Sequence, residues 1–177
     1  MTTTVDQNLY FKITDLWKHF CEEHQVLFDL TLDEYQALLQ SDIERVDDLV
    51  VQKTLVMEKI QQLDQARQVL MKKVSEQVGH PINKASELLA VMAGFEQENQ
   101  QNYLQRFNNL LIDIIEKIQQ QNHKNQIFIN KAIISLQEIR ESVSGRKFKT
   151  YTPTAQLSTA TKDYFSGEKR LAKEGLR

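Results

Sequence analysis

Across its first 144 residues this chain is interrupted by only two glycines, Gly79 and Gly94, and one proline, Pro81. A chain of short strands needs a turn signal about every 8–12 residues, so this scarcity of turn residues leaves long helices as the building material. The apolar spacing agrees. Val46, Leu49, Lys53, Val56, Ile60, Leu63, Arg67, Leu70 and Val74 follow one another in alternating steps of three and four, the period of a seam that lies against another helix. Lys53 and Arg67 interrupt the seam on one helical face. Their aliphatic stems can cover apolar surface while their charged heads pair with carboxylates.

A first helix is predicted from about Asp6 to Gln40, with Leu9, Ile13, Leu16, Phe20, Leu27 and Leu30 on its apolar side. The spacing is by threes and fours, with one double step from Phe20 to Leu27. Thr31-Leu32-Asp33-Glu34 has the form of a capping box, which predicts a kink or restart there. Ser41-Asp42-Ile43-Glu44 has the same form and is read as the start of a second helix. That helix runs to about Val78, where Gly79-His80-Pro81 stops it.

A short helix from about Asn83 to Ala93 follows, and Gly94 is expected to separate it from a long one, Phe95 to Ser144. The seam of this last segment is Leu104, Leu111, Ile115, Ile118, Asn122, Asn125, Ile129, Ala132, Leu136, Ile139 and Val143. As one helix it would be about 70 Å long, too long for a compact domain. It either breaks near Gln119-Gln120-Gln121-Asn122 or projects beyond the bundle. The prediction is an all-α fold: an elongated antiparallel helical bundle or coiled coil of three long helices plus a short one, with a flexible C-terminal arm.

The arm is marked by charge. Residues 145–177 hold eight Lys/Arg against three Asp/Glu, a net +5, and residues 1–144 hold 14 against 21, a net −7. With Gly145, Pro153, Gly167 and a Ser/Thr-rich middle, 145–177 reads as a basic flexible tail and 1–144 as the helical domain. The acidic body and basic tail suit either self-contact or a charged partner. The single cysteine, Cys21, allows no internal disulfide. The amino end lacks the basic and apolar regions of a signal peptide, and the densest apolar stretch, Leu110 to Ile118, carries Asp113 and Glu116. A cytoplasmic protein with no direct membrane insertion is expected.

Arrangements that carry catalysis are missing from the sequence. His19, Cys21 and His24 are clustered, but residues 19 and 21 project about 200° apart on a helix, a poor start for a tetrahedral metal site. No Glu-x-x-His pair, Gly-rich phosphate loop, Gly-x-Ser-x-Gly elbow or His-Glu-x-x-His occurs. No enzyme activity, cofactor or metal is expected. Arg146, Lys147, Phe148, Lys149 and Tyr151 mix charge with aromatic rings as single-strand nucleic-acid binders do, but the acidic body argues against a nucleic-acid partner.

Two features remain. Asn122 and Asn125 stand where the seam wants Leu or Ile; they either form a polar layer that sets register, or mark where the helix stops serving its own bundle. Beyond them Phe128, Ile129, Ala132, Ile133, Leu136, Ile139 and Val143 form an apolar stripe, with Ile134 expected to widen it. This stripe is either core or a surface kept for a partner.

The stretch Glu34-Tyr-Gln-Ala-Leu-Leu-Gln-Ser-Asp42, followed by Val46, Leu49, Lys53, Ile60, Leu63 and Arg67, resembles the FlgN family of flagellar export chaperones. Asn122-x-x-Asn125 before an apolar pair resembles that family's Asn-x-x-Asn motif. The resemblance covers about residues 9–143, with Ser41 in place of the family's turn glycine and a long tail after Gly145. It implies a cytoplasmic type III export chaperone that binds the aggregation-prone helical termini of flagellar hook-associated proteins, the subunits of the hook-filament junction, and delivers them to the flagellar export gate. The implied grip is the stripe from Phe128 to Val143 receiving an amphipathic helix, extended by Phe148 and Tyr151. The competing reading is a coiled-coil adaptor that self-associates, as a homodimer for example, without an export role.

Overall fold

The computed structural model of the chain describes residues 5–144, and these form four α-helices with no strand among them. Helix α1, Gln7–Gln40, starts at Asp6, whose carboxylate accepts the Asn8 N–H at 3.2 Å. It packs along its length against both α2, Ile43–Val78, and α4, Tyr103–Ser144. A helix with neighbours on two sides needs a wider apolar arc than one seam supplies. Tyr10, Trp17 and Cys21 provide that width beside Leu9, Ile13, Leu16, Phe20 and Leu27, and all are buried. His24 fills the double step in the seam. It is fully buried, with Nδ1 2.7 Å from the Phe20 carbonyl oxygen.

The expected kink at Thr31 does not occur, and α1 is continuous to Gln40. The Thr31 hydroxyl donates to the Leu27 carbonyl at 2.7 Å within the helix, so it is not available to cap a new one. Ser41 likewise does not open α2. It is the left-handed C-cap of α1, at φ 57°, with its N–H donating to Leu38 O at 3.1 Å. Asp42 caps α2 instead, accepting the Arg45 N–H at 3.0 Å. Every residue of the α2 seam from Val46 to Val74 is buried or half-buried. Gly79, at φ 74°, ends the helix in the conformation that glycine adopts most cheaply.

Helix α3 spans Ala85–Glu98 and runs through Gly94, contrary to the expected separation. An interior glycine costs a helix about 1 kcal/mol, which packing of Leu88, Met92 and Phe95 into the core outweighs. The break falls at Asn99–Asn102, where Gln100 takes φ 55°. Glu87 opens α3 by accepting the N–H groups of Asn83 and Lys84 at 2.8 and 3.2 Å, and these bonds lower its pKa.

Helix α4 has 42 residues and no break at the polar run; at 1.5 Å per residue it is about 63 Å long. Cross-links give the directions. Lys53 meets Glu34, and the Asp6 N–H donates to Gln77 Oε1, so α2 runs antiparallel to α1. Trp17 donates to Asn108 and Asn125 to Thr31, so α4 runs parallel to α1. The three long helices therefore go up, down and up, and α3 turns the chain at the end where α1 begins. The last aromatic contact between α1 and α4 is Tyr35 edge-on to Phe128 at 6.2 Å. Since α1 stops at Gln40, roughly the last ten residues of α4 extend past the α1–α2 turn, a projection of about 16 Å.

The start of α4 is held by a buried carboxylate. Glu96 Oε1 accepts both the Tyr10 hydroxyl and the Leu104 N–H at 2.7 Å, satisfying one of the open donors of the first helical turn. The Tyr10 ring lies 4.7 Å from Phe95. Burial, followed by the bond to Glu96, pushes the Tyr10 hydroxyl from 10.0 up to about 12.

Two stability predictions follow from these contacts. The folded state keeps the Tyr10 proton after the unfolded chain has released it, so this contribution is intact below pH 10 and falls as pH rises toward about 12. Tyr10→Phe should remove that part of the alkaline decline, measured as urea unfolding at successive pH values. Ser41→Gly should raise stability by up to about 1 kcal/mol, because only glycine adopts φ 57° without a Cβ clash; a lower urea midpoint would contradict this.

Candidate functional site

The α4 seam divides at Asn125. Leu104, Ile115 and Ile118 are buried and Leu111 is half-buried, whereas Ile129 is 38% exposed, Leu136 65%, Ile139 59% and Val143 83%. Ala132 is exposed as well, and only Phe128 and Ile133 of the predicted stripe are half-buried. The seven residues occupy one arc of the helix at 100° per residue, so they form a continuous apolar strip. Ile134 does not widen it. It falls nearly opposite, with Ile127 seven residues earlier, and both are exposed. Phe148 and Tyr151 lie outside the described residues.

The division is made by a polar cluster joining all three long helices. Glu34 of α1 accepts Lys53 Nζ of α2 at 3.0 Å and Asn125 Nδ2 of α4 at 2.7 Å through the same oxygen, Oε2. Asn125 Nδ2 also donates to the Thr31 carbonyl at 3.0 Å, and its Oδ1 accepts Gln121 Nε2 at 3.0 Å. Lys53 reaches Asn122 Oδ1 at 3.4 Å. Thr31, Gln121 and Asn125 are buried. The asparagine pair thus forms a polar layer between the helices, with Asn125 buried in it and Asn122 half-buried at its edge.

The expectation that Lys53 and Arg67 pair with carboxylates holds in two different ways. Lys53 bridges to Glu34 across helices, and Arg67 pairs with Asp64 one turn earlier on its own helix. Sequence reasoning missed Glu34, Thr31 and Gln121 as members of the polar layer. The lysine inside an apolar seam was the available signal for Glu34, since a half-buried ammonium needs an anion. Thr31 and Gln121 had no signal, because their contacts depend on how α4 is placed against α1.

The buried Cys21 thiol donates to the Phe107 carbonyl at 3.3 Å, and burial pushes it up to about 11, far from a reactive thiolate. His19 Nδ1 faces the Asp15 carbonyl oxygen on its own helix. No group of three His, Cys, Asp or Glu side chains could hold a metal ion, and no helix is long and apolar enough to cross a membrane, both among the described residues. A shallow groove between α1 and α4 has an apolar floor of Cys21, Phe107, Leu110 and Ile114, with Lys18, Glu22 and Gln25 also lining it.

The two asparagines should differ sharply. Asn125→Ala strips a half-buried carboxylate and a buried backbone carbonyl of a donor and should cost about 2–3 kcal/mol in urea unfolding. Asn122→Ala, at a half-buried residue with one long contact, should cost less than about 1 kcal/mol. Equal costs would mean that the layer does not work as described.

In comparison with known proteins, the model of the family described as FlgN protein matches residues 9–159. No curated protein and no solved structure matches the chain. The match takes in all of α2, α3 and α4 and nearly all of α1. A helical body carrying one helix with its seam uncovered is in keeping with that match, and the chain belongs to the FlgN family of flagellar export chaperones.

Proposed function

We propose that the projecting end of α4 is the client-binding element of this chaperone, and that its clients are the helical termini of flagellar hook-associated proteins. The observation that carries this reading is the uncovering of one regular seam after Asn125. The same heptad spacing that seals Leu104 to Ile118 continues through Ile129, Ala132, Leu136, Ile139 and Val143, and none of the described residues is laid over its outer part. A helix with an uncovered seam is a half-made coiled coil, and an amphipathic helix from a client completes it by placing its own apolar residues between those of α4. Large apolar patches on a lone protein are otherwise a route to aggregation.

On this reading Phe128 and Ile133, half-buried at the edge of the bundle, form the inner end of the grip, and Val143 lies near its outer end. Phe148 and Tyr151 extend it. The bundle itself stays folded whether or not a client is bound, because the exposed outer part of the strip contributes little to its core. Binding therefore requires ordering of the client alone, and release at the flagellar export gate leaves the chaperone intact. The function is carriage without a chemical step, and the proposed residues 1–144 form the carrying domain with 145–177 as its tail.

Replacing Ile129, Ile133 and Leu136 together by alanine tests the assignment. Fully buried, such truncations cost about 2–5 kcal/mol each. At these exposures the triple variant should unfold within about 1–2 kcal/mol of the parent, yet lose co-purification with hook-associated proteins. A stability loss on the scale of buried core would return the stripe to the fold. Retained client binding would place the grip elsewhere.

A further inference from the structure

The uncovered strip on α4 lies beside a concentration of negative charge. Asp33, Asp42, Glu44, Asp47 and Asp48, all exposed, surround the α1–α2 turn, and Arg45, 4.0 Å from Asp33, is the one cation between residues 33 and 48. The chain that leaves the end of α4 has the opposite sign: residues 145–177 carry a net +5 against −7 for residues 1–144. Its later part also supplies apolar side chains, namely Tyr164, Phe165, Leu171 and Leu176.

The reach is sufficient. The strip from Phe128 to Val143 is about 22 Å long. A connecting stretch the length of residues 145–163 has a root-mean-square span of about 25 Å as a random coil. A segment tethered at a distance matching its own span experiences an effective concentration in the millimolar range, so a contact too weak to hold two separate molecules suffices within one.

We propose that residues 145–177 dock on this same molecule, their basic residues on the acidic rim of the α1–α2 turn and their apolar residues on the α4 strip, covering it while no client is present. The arrangement goes beyond client binding and stands whether or not the strip also takes a client. It gives the tail a definite place: an internal stand-in that shields Leu136, Ile139 and Val143 from contact with other molecules. A client helix then has to displace the tail. Raising the salt concentration weakens the hold, since exposed charges are screened within about 3 Å at 1 M ionic strength.

The test uses the full chain with a nitroxide spin label at Ser166→Cys; Cys21 is buried and shielded from the label. Isoleucine methyl signals report on proximity, with Ile129 and Ile139 on the strip and Ile82, at the opposite end of the bundle, as control. Docking predicts that the strip signals lose half or more of their intensity at low salt while Ile82 keeps its own. The loss should be independent of protein concentration, and the Asp47→Lys, Asp48→Lys double variant should recover the signals. Three results overturn the proposal: no loss on the strip; loss that appears in a mixture of spin-labelled and isotope-labelled chains, which would mean a second copy supplies the tail; or loss unchanged by the charge reversals.

Discussion

One carboxylate oxygen, Oε2 of Glu34, ties the three long helices together at the level where the α4 seam begins to open to solvent. It accepts Lys53 from α2 and Asn125 from α4, and the Thr31 carbonyl holds the same asparagine from a second direction. Burying an ion pair confers little net stability, because desolvation consumes most of the Coulombic gain, but leaving one of its members unpaired is costly. The cluster therefore selects an arrangement more than it strengthens one. A slip of α4 along α1 by one turn would leave Glu34 without its amide partner and place Asn125 against apolar neighbours.

This constraint explains why a single seam can serve two purposes. Short of Asn125, the apolar residues of α4 face α1 inside the cluster of buried side chains. Beyond it the same periodicity continues while α1 runs out at Gln40 and the chain turns into α2. Leu136, Ile139 and Val143 are exposed because α4 outlasts its partner, and a slide of α4 that would cover them would break the polar layer. At the other end Glu96 performs the matching task, holding the first turn of α4 against Tyr10. A long helix fixed at its start and at its midpoint presents its remaining length in a defined direction.

A flagellar export chaperone has to offer apolar surface to a client without losing its own fold. Here the two requirements are separated along one helix. Residues that hold the bundle, such as Leu104, Ile115 and Ile118, are sealed, and residues proposed to hold a client are not. The acidic rim near the exposed stripe and the basic tail beyond it add a charge pattern that the family assignment alone does not explain.

Much of this was legible from local pattern. Scarce glycine and proline required long helices, and the seam from Val46 to Val74 named the buried face of α2, since a heptad has only one way to meet a neighbouring helix. Local signals misled where a side chain had a better tertiary or in-helix use: Thr31 bonded back to Leu27, Ser41 closed α1 instead of opening α2, and Gly94 stayed helical under the packing of α3. Sequence alone determined that the apolar repeat of α4 continues past Asn125. Only the tertiary structure decided that the continuation is uncovered, because exposure depends on where the neighbouring helices end, and the period of a repeat contains no information about the length of its partner.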